Sequence, residues 1–303
     1  NIKNIHVVWF GGEPLLGIKQ IESLYRKMIL IPDKNYSFSI ISNGFLISPD
    51  IIKLFKEMKL QHIQITLDGL KETHNKIKFT KNENDTFSRT IKNIDLLASS
   101  APEIRISIRV NMNKENSSEF ITLYSFILQR YKSNPLIGIY PAFITSTSSK
   151  SSSSCSLLFN RQEKSEFIQQ LYYDRGIVTN LCGYPDSSFT ECSIRNKHTF
   201  TIDPEGYLYK CWEIIGDQKY AIAKLDSEGT IQSIDQKILN RYLYAADPLE
   251  DKTCSKCPYL PICFGGCPHK RIENIFKDKH YDTCTYLKGS LKEFIKIHLS
   301  QNS

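Results

Sequence analysis

Nine cysteines give this 303-residue chain its clearest chemical signal, because most of them lie in the last third of the sequence. Seven form one spaced array: Cys192, Cys211, Cys254, Cys257, Cys263, Cys267 and Cys284. Cys182 lies just upstream of the array, and only Cys155 falls outside the group. Thiolates at C-x2-C and similar spacings are ligands for zinc or for iron–sulfur clusters. The array therefore predicts a metal-binding region.

Cysteines at such spacings can form disulfide bonds, zinc sites or iron–sulfur clusters. Disulfides form in oxidising compartments. The sequence has no apolar signal segment and no run of eighteen apolar residues, so we expect a cytoplasmic protein with reduced cysteines. Zinc takes four thiolates per site, and so do iron–sulfur clusters. The compact run from Cys254 to Cys267, followed by Pro268, suits a cluster. Spacing alone leaves zinc and iron as open alternatives.

Composition indicates an ordinary globular protein with one large domain and a smaller one. The chain is 41% hydrophobic and 23% charged, and 39 Lys+Arg against 32 Asp+Glu give a net charge of +7. There is no block of five like charges, which argues against nucleic-acid binding. We place the domains at residues 1–175 and 176–303. The serine-rich stretch 145–154 is predicted to be an exposed loop.

The first half alternates short β-rich runs with amphipathic helices. The predicted strands are Ile5–Phe10, Ser37–Ile41, Ile63–Leu67, Ile104–Val110 and Leu136–Phe143. The predicted helices are Ile18–Ile29, Pro49–Lys59, Phe87–Ala98, Ser118–Tyr131 and Asn160–Tyr173. Ser48 is the expected N-cap of the second helix and Thr86 that of the third. This alternation predicts an α/β fold with a parallel sheet, either open or closed into a barrel.

Polar and glycine residues follow four successive predicted strands. The first strand leads into Gly11–Pro14, the second into Ser42–Gly44 and the third into Asp68-Gly69, while the fourth carries Arg109 and Asn111. The carboxyl ends of parallel strands meet at one edge, where barrel active sites are built. Carboxylates can hold an ammonium group or ribose hydroxyls, and arginine can clamp a carboxylate. These groups suit a zwitterionic, ribose-bearing ligand, although each alone is also ordinary turn chemistry.

Gly11-Gly12-Glu13-Pro14 resembles the motif by which radical S-adenosylmethionine (radical SAM) enzymes bind the amino group of that cofactor. The cysteine array, including Cys192-x13-Gly206-x4-Cys211, resembles the SPASM domain that many of these enzymes carry. The resemblance implies a partial (β/α)6 barrel that lacks its first strand, followed by a small Cys-rich auxiliary-cluster domain. It also implies that four residues contact the ribose and carboxylate of the cofactor: Ser42, Thr66, Asp68 and Arg109.

The same resemblance assigns the cysteines to two auxiliary [4Fe–4S] clusters. The first would be held by Cys182, Cys192, Cys211 and Cys267. The second would be held by Cys254, Cys257, Cys263 and Cys284. The family's C-x3-C-x2-C motif, which holds a third [4Fe–4S] cluster that cleaves S-adenosylmethionine, is not in this sequence. We therefore expect either a fragment of a longer enzyme, which we favour, or a degenerate relative that binds a peptide or partner protein.

The residue after Cys211 bears on the reaction. Related anaerobic sulfatase-maturating enzymes, which form formylglycine, carry an aspartate base there, whereas this chain has Trp212. An indole cannot accept a proton, and Glu213 is the nearest substitute. The resemblance therefore implies a maturase that modifies a ribosomally made peptide or protein with a 5′-deoxyadenosyl radical. Formylglycine formation is the alternative, and a flavodoxin or ferredoxin is the expected one-electron reductant.

Four histidine and lysine residues complete the candidates. His74 and Lys78 follow Asp68-Gly69, and we expect them to lie in a solvated loop rather than against a ligand. His269 and His280 flank the last cysteines, but eight cysteines already satisfy two four-thiolate sites. We expect Trp212 to pack over a cluster.

Overall fold

The computed structural model describes residues 2–79, 84–145, 155–177 and 192–301. These residues fall into two compact units. The first comprises residues 1–160 and 170–181, and the second comprises residues 161–169 and 182–303. The domain boundary placed after residue 175 stays a prediction. Most of the serine-rich stretch lies outside the described residues, as do Cys182 and the side chain of Cys155.

The first unit is built on five strands and the helices between them. The strands are β1 Asn4–Trp9, β2 Asn35–Ser42, β3 His62–Thr66, β4 Arg105–Met112 and β5 Ile137–Phe143. The helices are α1 Ile18–Met28, α2 Pro49–Glu57, α3 Lys71–Ile77, α4 Thr86–Ser100, α5 Phe120–Arg130 and α6 Arg161–Arg175. Helix α6 contributes residues to both units. Short 3-10 helices occupy Pro14–Gly17, Ser117–Glu119 and Cys155–Leu157.

The five strands form one sheet in the order β1-β2-β3-β4-β5, and every neighbouring pair is parallel. This confirms the predicted α/β fold and its five strands. Since all strands run the same way, the segments after β1, β2 and β3 emerge at the same edge as the end of β4. The sheet therefore brings the predicted polar residues to one rim.

The two faces of the sheet differ in chemistry because side chains alternate along each strand. One face carries aliphatic residues such as Ile63, Ile65 and Ile108, each with 0% exposure. The other face is polar. There His62 Nε2 lies 2.9 Å from Ser107 Oγ, and the Tyr140 hydroxyl donates to Gln64 Oε1 at 2.6 Å. Burial of the aliphatic face stabilises the unit, and the polar face remains available for binding.

Helix α2 begins as the sequence predicts. Ser48 is its N-cap, with an extended backbone, and its side chain accepts a hydrogen bond from the Ile51 N–H at 3.4 Å. Pro49 occupies the first helical position, where its missing N–H costs no hydrogen bond. Apolar residues of α2, including Ile52 and Phe55, are buried.

The predicted cap of α4 was wrong by one residue. Asp85, not Thr86, is the N-cap, and its carboxylate accepts a hydrogen bond from the Ser88 N–H at 3.2 Å. Thr86 is the first helical residue, and its hydroxyl bonds instead to Asn75 and to the Lys78 carbonyl. The threonine hydroxyl is therefore occupied by tertiary contacts with α3, which the local sequence does not reveal.

The second unit contains a small antiparallel sheet and several short helices. Its strands, in the order β6-β7-β8-β9, are Thr201–Ile202, Tyr207–Tyr209, Ala223–Leu225 and Ile231–Ile234. Its helices are α7 Gln236–Asn240, α8 Leu260–Cys263, α9 Pro268–Lys277 and α10 Leu291–Gln301, with a π-helix at Arg241–Ala245. Short 3-10 helices occupy Ser193–Arg195, Trp212–Ile214 and Gln218–Tyr220. A buried cluster includes Ile194, Tyr209, Tyr242 and Ile272.

Among the described residues, we find no helix that is both long and apolar enough to cross a membrane.

Candidate cofactor and cluster sites

Glu13 fixes the loop that follows β1. Its Oε1 atom accepts hydrogen bonds from the Leu15 N–H at 3.0 Å and from the Ser42 hydroxyl at 2.8 Å. Its Oε2 atom accepts one from the Asn43 N–H at 2.8 Å. The same carboxylate caps the short helix Pro14–Gly17. One side chain therefore joins the ends of β1 and β2 and holds the glycine loop in place.

The two glycines before Glu13 present accessible main chain. Gly11 has a φ of +148°, which favours glycine, whereas Gly12 has an ordinary φ. Both are exposed, and a Cβ on either would meet no described atom within 4 Å. Local packing therefore does not require glycine at Gly12, but a ligand lying against the backbone would. The peptide groups of this loop can bond to a polar ligand.

Ser42 is committed to the loop. It is 4% exposed, donates its hydroxyl hydrogen to Glu13 and accepts a hydrogen bond from the Gly44 N–H at 2.9 Å. A serine hydroxyl has only one hydrogen to donate. Ser42 therefore positions Glu13, and its direct contact with a cofactor ribose stays a prediction.

Asp68 follows β3 and is 3% exposed. Its Oδ1 atom accepts a hydrogen bond from Asn111 Nδ2 at 3.0 Å, and its Oδ2 atom lies 3.7 Å from Lys78 Nζ. Its carbonyl accepts a hydrogen bond from Asn116 Nδ2 at 2.8 Å. The first two contacts hold the carboxylate in one orientation at the rim, and the third holds the backbone of Asp68.

Arg109 lies beside Asp68 and is half-buried on the polar face. The register of β3, β4 and β5 aligns Thr66, Arg109 and Tyr140 in one row across the sheet. Arg109 Nε donates to Asn111 Oδ1 at 2.9 Å. Its two terminal nitrogens have no acceptor among the described residues. The guanidinium is therefore oriented by Asn111 and free to clamp a carboxylate.

His74 does not lie in a solvated loop, as we expected, but in helix α3 with 2% exposure. Its Nδ1 atom accepts a hydrogen bond from the Asp68 N–H at 3.2 Å, and its ring meets Phe87 edge-on at 5.8 Å. Burial lowers the pKa of His74 to about 4, although the nearby Asp68 opposes the shift. The neutral ring is the form that can accept this bond. Lys78 ends the same helix and is exposed, as expected.

Glu119 also lies at the rim, although the sequence did not predict it as a site residue. Its carboxylate accepts hydrogen bonds from the Leu70 N–H at 2.7 Å and from the Thr73 hydroxyl at 2.5 Å. Gly69 passes so close that a Cβ there would lie 2.6 Å from Glu119 Oε2. The contact joins residues 49 positions apart, so no local pattern reveals it.

In the second unit, four cysteines line one cavity: Cys254, Cys257, Cys263 and Cys284. Gly265 and Gly266, both with positive φ, let the chain turn between Cys263 and Cys267. A Cβ on Gly266 would overlap the Thr283 carbonyl oxygen. This close approach brings the segment that carries Cys284 against the glycine turn. The cavity groups the four cysteines that the family resemblance assigned to one cluster.

Three of the other predicted ligands influence one another electrostatically. Burial, and then the charges of Cys267, Glu213 and Cys192, raise the pKa of Cys211 to about 12. A hydrogen bond from the Glu213 backbone to the Cys211 sulfur opposes that shift. The fourth predicted ligand, Cys182, lies outside the described residues. All seven described cysteines of the array are free thiols.

Residues 2–127 match the family model of the radical SAM superfamily. These residues form a radical SAM domain. The match covers β1 to β4 and most of α5, so it includes Gly11–Pro14, Asp68 and Arg109.

Homologues extend the likeness beyond the radical SAM domain. A cysteine-type anaerobic sulfatase-maturating enzyme of Clostridium novyi is 25% identical over 90% of this chain and 75% of its own length. A serine-type anaerobic sulfatase-maturating enzyme of Klebsiella aerogenes is 23% identical over 88% of this chain and 67% of its own length. The chain is thus homologous to these maturases across both units.

Solved structures support the fold. Native anSMEcpe with bound AdoMet matches 99% of this chain and 84% of that protein with a TM-score of 0.69 and 20% identity. SuiB of Streptococcus suis bound to precursor peptide SuiA matches 93% of this chain and 64% of that protein, with a TM-score of 0.56 and 16% identity. At these identities the likeness concerns the fold.

Beyond the radical SAM domain, the remaining candidates have distinct surroundings. Glu213 is exposed, and its charge acts on His269, whose pKa burial lowers. The His269 ring stacks on Tyr242 with ring centres 6.3 Å apart. His280 has an 87% exposed side chain, and Trp212 is 57% exposed. The packing of Trp212 over a cluster stays a prediction.

Proposed function

We propose that the radical SAM domain binds S-adenosylmethionine along the carboxyl edge of its sheet. The main chain of Gly11 and Gly12, held by Glu13 and Pro14, would receive the amino group. The free terminal nitrogens of Arg109 would bind the carboxylate. Asp68 and Thr66 would face the ribose. Ser42 would hold Glu13, and with it the glycine loop, in place. The observation that carries this proposal is the meeting of these groups at one edge of the parallel sheet.

The residues of this chain would bind and orient rather than react. Asn111 holds Arg109 and Asp68 together, and His74 and Asn116 fix the backbone of Asp68. When bound and reductively cleaved, S-adenosylmethionine supplies a 5′-deoxyadenosyl radical that abstracts hydrogen from a substrate. This sequence does not contain the C-x3-C-x2-C ligands of a cleaving cluster. We therefore assign binding and orientation of the cofactor, and not its cleavage, to the residues named here.

We propose that the second unit is a SPASM domain with two auxiliary [4Fe–4S] clusters. Its first cluster would be held by Cys182, Cys192, Cys211 and Cys267, and its second by Cys254, Cys257, Cys263 and Cys284. The shared cavity of the second set supports this assignment, as do the effects of the Cys267 and Cys192 charges on the pKa of Cys211.

Cluster ligation fits the cysteine geometry better than zinc does. A single zinc ion needs its ligands within about 2.3 Å of one metal, so the sulfurs must crowd together. Within the part of the chain that the structure describes, no three His, Cys, Asp or Glu side chains group in a way that could hold one ion. Four cysteines line one cavity, which is the ligand number that a [4Fe–4S] cluster requires.

The substrate that fits best is a ribosomally made peptide or protein. The fold neighbours include anSMEcpe bound to a peptide and SuiB bound to its precursor peptide. The polar face of the sheet, with His62, Gln64, Ser107 and Tyr140, offers donors and acceptors to such a chain. A flavodoxin or ferredoxin would deliver the electrons.

Formylglycine formation is the second candidate, favoured by the homology to sulfatase maturases. Against it stands Trp212, which follows Cys211 where those enzymes are expected to carry a base. Glu213 is exposed and lies near enough to His269 to influence it, so it is the available carboxylate. The two candidates differ in product. The test incubates a form of the enzyme that carries C-x3-C-x2-C ligands with a cysteine-bearing sulfatase peptide and S-adenosylmethionine, followed by mass spectrometry. Loss of the cysteine sulfur supports formylglycine formation.

The first test of the cofactors is a metal count on this chain after reconstitution without oxygen. We expect about eight irons with matching acid-labile sulfide per chain. Roughly two zinc ions without sulfide would overturn the cluster assignment. The variant Cys284→Ala should lose only the iron of the second cluster, and unchanged iron content would contradict the ligand set. Binding of S-adenosylmethionine, measured by isothermal titration calorimetry, tests the rim independently.

A further inference from the structure

Arg271 carries a buried positive charge in the second unit. It lies on α9, is 6% exposed and makes three hydrogen bonds through its guanidinium group. Its Nε donates to the Ala246 carbonyl at 3.2 Å, its Nη2 to Asp251 Oδ2 at 3.3 Å, and its Nη1 to Cys254 Sγ at 3.3 Å. Charged groups are almost never buried without partners, so this side chain has a fixed place.

Asp251 holds the other side of Cys254. Its Oδ1 atom accepts hydrogen bonds from the Thr253 N–H at 2.8 Å and the Cys254 N–H at 2.9 Å. Its Oδ2 atom pairs with Arg271. Asp251 therefore binds the backbone N–H of Cys254, and Arg271 binds its sulfur. The arrangement fixes where the sulfur points, and it places one unit of positive charge in contact with it.

A second cation near the same cavity offers a contrast. Lys288 Nζ lies 3.6 Å from Cys284 Sγ, but its contact is exposed to solvent. Water and salt screen an exposed charge strongly and a buried one weakly. Of these two cations, Arg271 is the one less screened by solvent, although Asp251 offsets part of its charge.

We propose that Arg271 is a positioning residue that orients Cys254 and raises the reduction potential of the cluster held by Cys254, Cys257, Cys263 and Cys284. This inference rests on the proposed function, since it requires that cluster. Reduction adds one electron and therefore one negative charge to the cluster. A buried guanidinium and an N–H···S hydrogen bond both stabilise the more negative, reduced form. The cluster beside Arg271 would accordingly accept an electron more readily.

The experiment is a potentiometric titration of the reconstituted full chain, followed by electron paramagnetic resonance. The signal absent from Cys257→Ala identifies this cluster, and the other cluster is the internal control. We expect Arg271→Gln to lower its potential by at least 59 mV, a tenfold change in the one-electron equilibrium. Arg271→Lys keeps the positive charge but loses the forked guanidinium group. Its reduction potential should therefore lie between those of Arg271→Gln and the parent. Lys288→Gln should change the potential much less.

The outcomes separate the two proposals. If the unmodified chain binds no iron–sulfur cluster, the proposed function fails. If Arg271→Gln keeps its iron and its potential is unchanged or higher, the role of Arg271 is refuted. If Arg271→Gln fails to fold or loses iron, Arg271→Lys decides, because it keeps the positive charge and loses the forked hydrogen bonds to Asp251 and Cys254. Its potential should lie below that of the parent, and an unchanged or higher value would refute the inference.

Discussion

The amide of Asn111 donates to the carboxylate of Asp68 at 3.0 Å while its oxygen accepts from the neighbouring guanidinium of Arg109. One neutral side chain therefore links the anion to the cation and orients both at the rim. The terminal nitrogens of Arg109 have no acceptor among the described residues, so they can bind a ligand.

Replacing Asn111 should weaken S-adenosylmethionine binding. In Asn111→Leu the buried Asp68 loses a donor and Arg109 is free to turn toward it, so we expect at least tenfold weaker binding, about 1.4 kcal/mol or more. Isothermal titration calorimetry on the full chain measures this. Asn35→Ala is the control, since Asn35 lies at the opposite end of β2 and is exposed. Equal affinities for the two variants would contradict the proposed role.

Glu13→Gln should loosen the glycine loop. A glutamine amide presents one NH2 group, which would face either the Asn43 N–H or the donors from Leu15 and Ser42. We expect a loss of about 1–3 kcal/mol in the free energy of unfolding, together with weaker cofactor binding. Urea denaturation tests the first effect. Glu22→Gln, which alters an exposed pair with Arg26, should cost less than about 1 kcal/mol.

The buried His74 predicts a dependence of stability on pH. Its pKa is about 4 when folded and 6.5 in an unfolded chain, so the unfolded state binds a proton first as the pH falls. His74 therefore favours folding above pH 6.5, and this contribution, on the order of 3 kcal/mol, is lost between pH 6.5 and about 4.

His74→Gln removes this titration while keeping an oxygen that can accept the Asp68 N–H. The free energy of unfolding, measured by urea denaturation at pH 7 and pH 4.5, should fall less in the variant than in the parent. The exposed His198 provides the control variant His198→Gln, which should behave as the parent does. If the free energy of unfolding of His74→Gln falls as much as that of the parent between pH 7 and pH 4.5, other groups determine the loss of stability in acid.

Gly266→Ala should destabilise the second unit strongly. The new Cβ would add strain at a φ of +73° and overlap the Thr283 carbonyl, which is backbone and cannot move aside cheaply. We expect a loss of about 3 kcal/mol or more. Gly229→Ala is matched for φ, at +77°, but opens onto empty space among the described residues, so it should lose only about 1 kcal/mol. The free energies of unfolding of both variants, measured by chemical denaturation, separate the cost of the steric clash from the cost of backbone strain.

Much of the fold followed from local patterns. The β-rich runs Ile63–Leu67 and Ile104–Val110 predicted the strands β3 and β4, and Ser48-Pro49 predicted the start of α2, because these signals act within a few residues. Helix α3 was missed since its sequence is mostly polar and Leu70 gives it no side-chain cap. The burial of His74 follows from tertiary packing, to which Phe87 contributes.

For the candidate sites, too, local patterns were predictive and long-range contacts were not. Cysteine spacing predicted a metal-binding region, and strand ends predicted the rim. Glu119 and Arg271 were missed because their partners are distant in sequence: Leu70 is 49 positions away and Cys254 is 17. A carboxylate or guanidinium that supports another residue carries no local motif.

Helix α9 begins immediately after Cys267, its N-cap, and the Arg271 N–H donates to the Cys267 carbonyl at 3.1 Å. The same residue reaches Cys254 with its side chain. A single helical turn, about 5.4 Å along the axis, therefore carries a proposed ligand of the first cluster at one end. At its other end it carries the residue that bonds to a proposed ligand of the second cluster. A substitution that unwinds this turn would therefore disturb both proposed sites together.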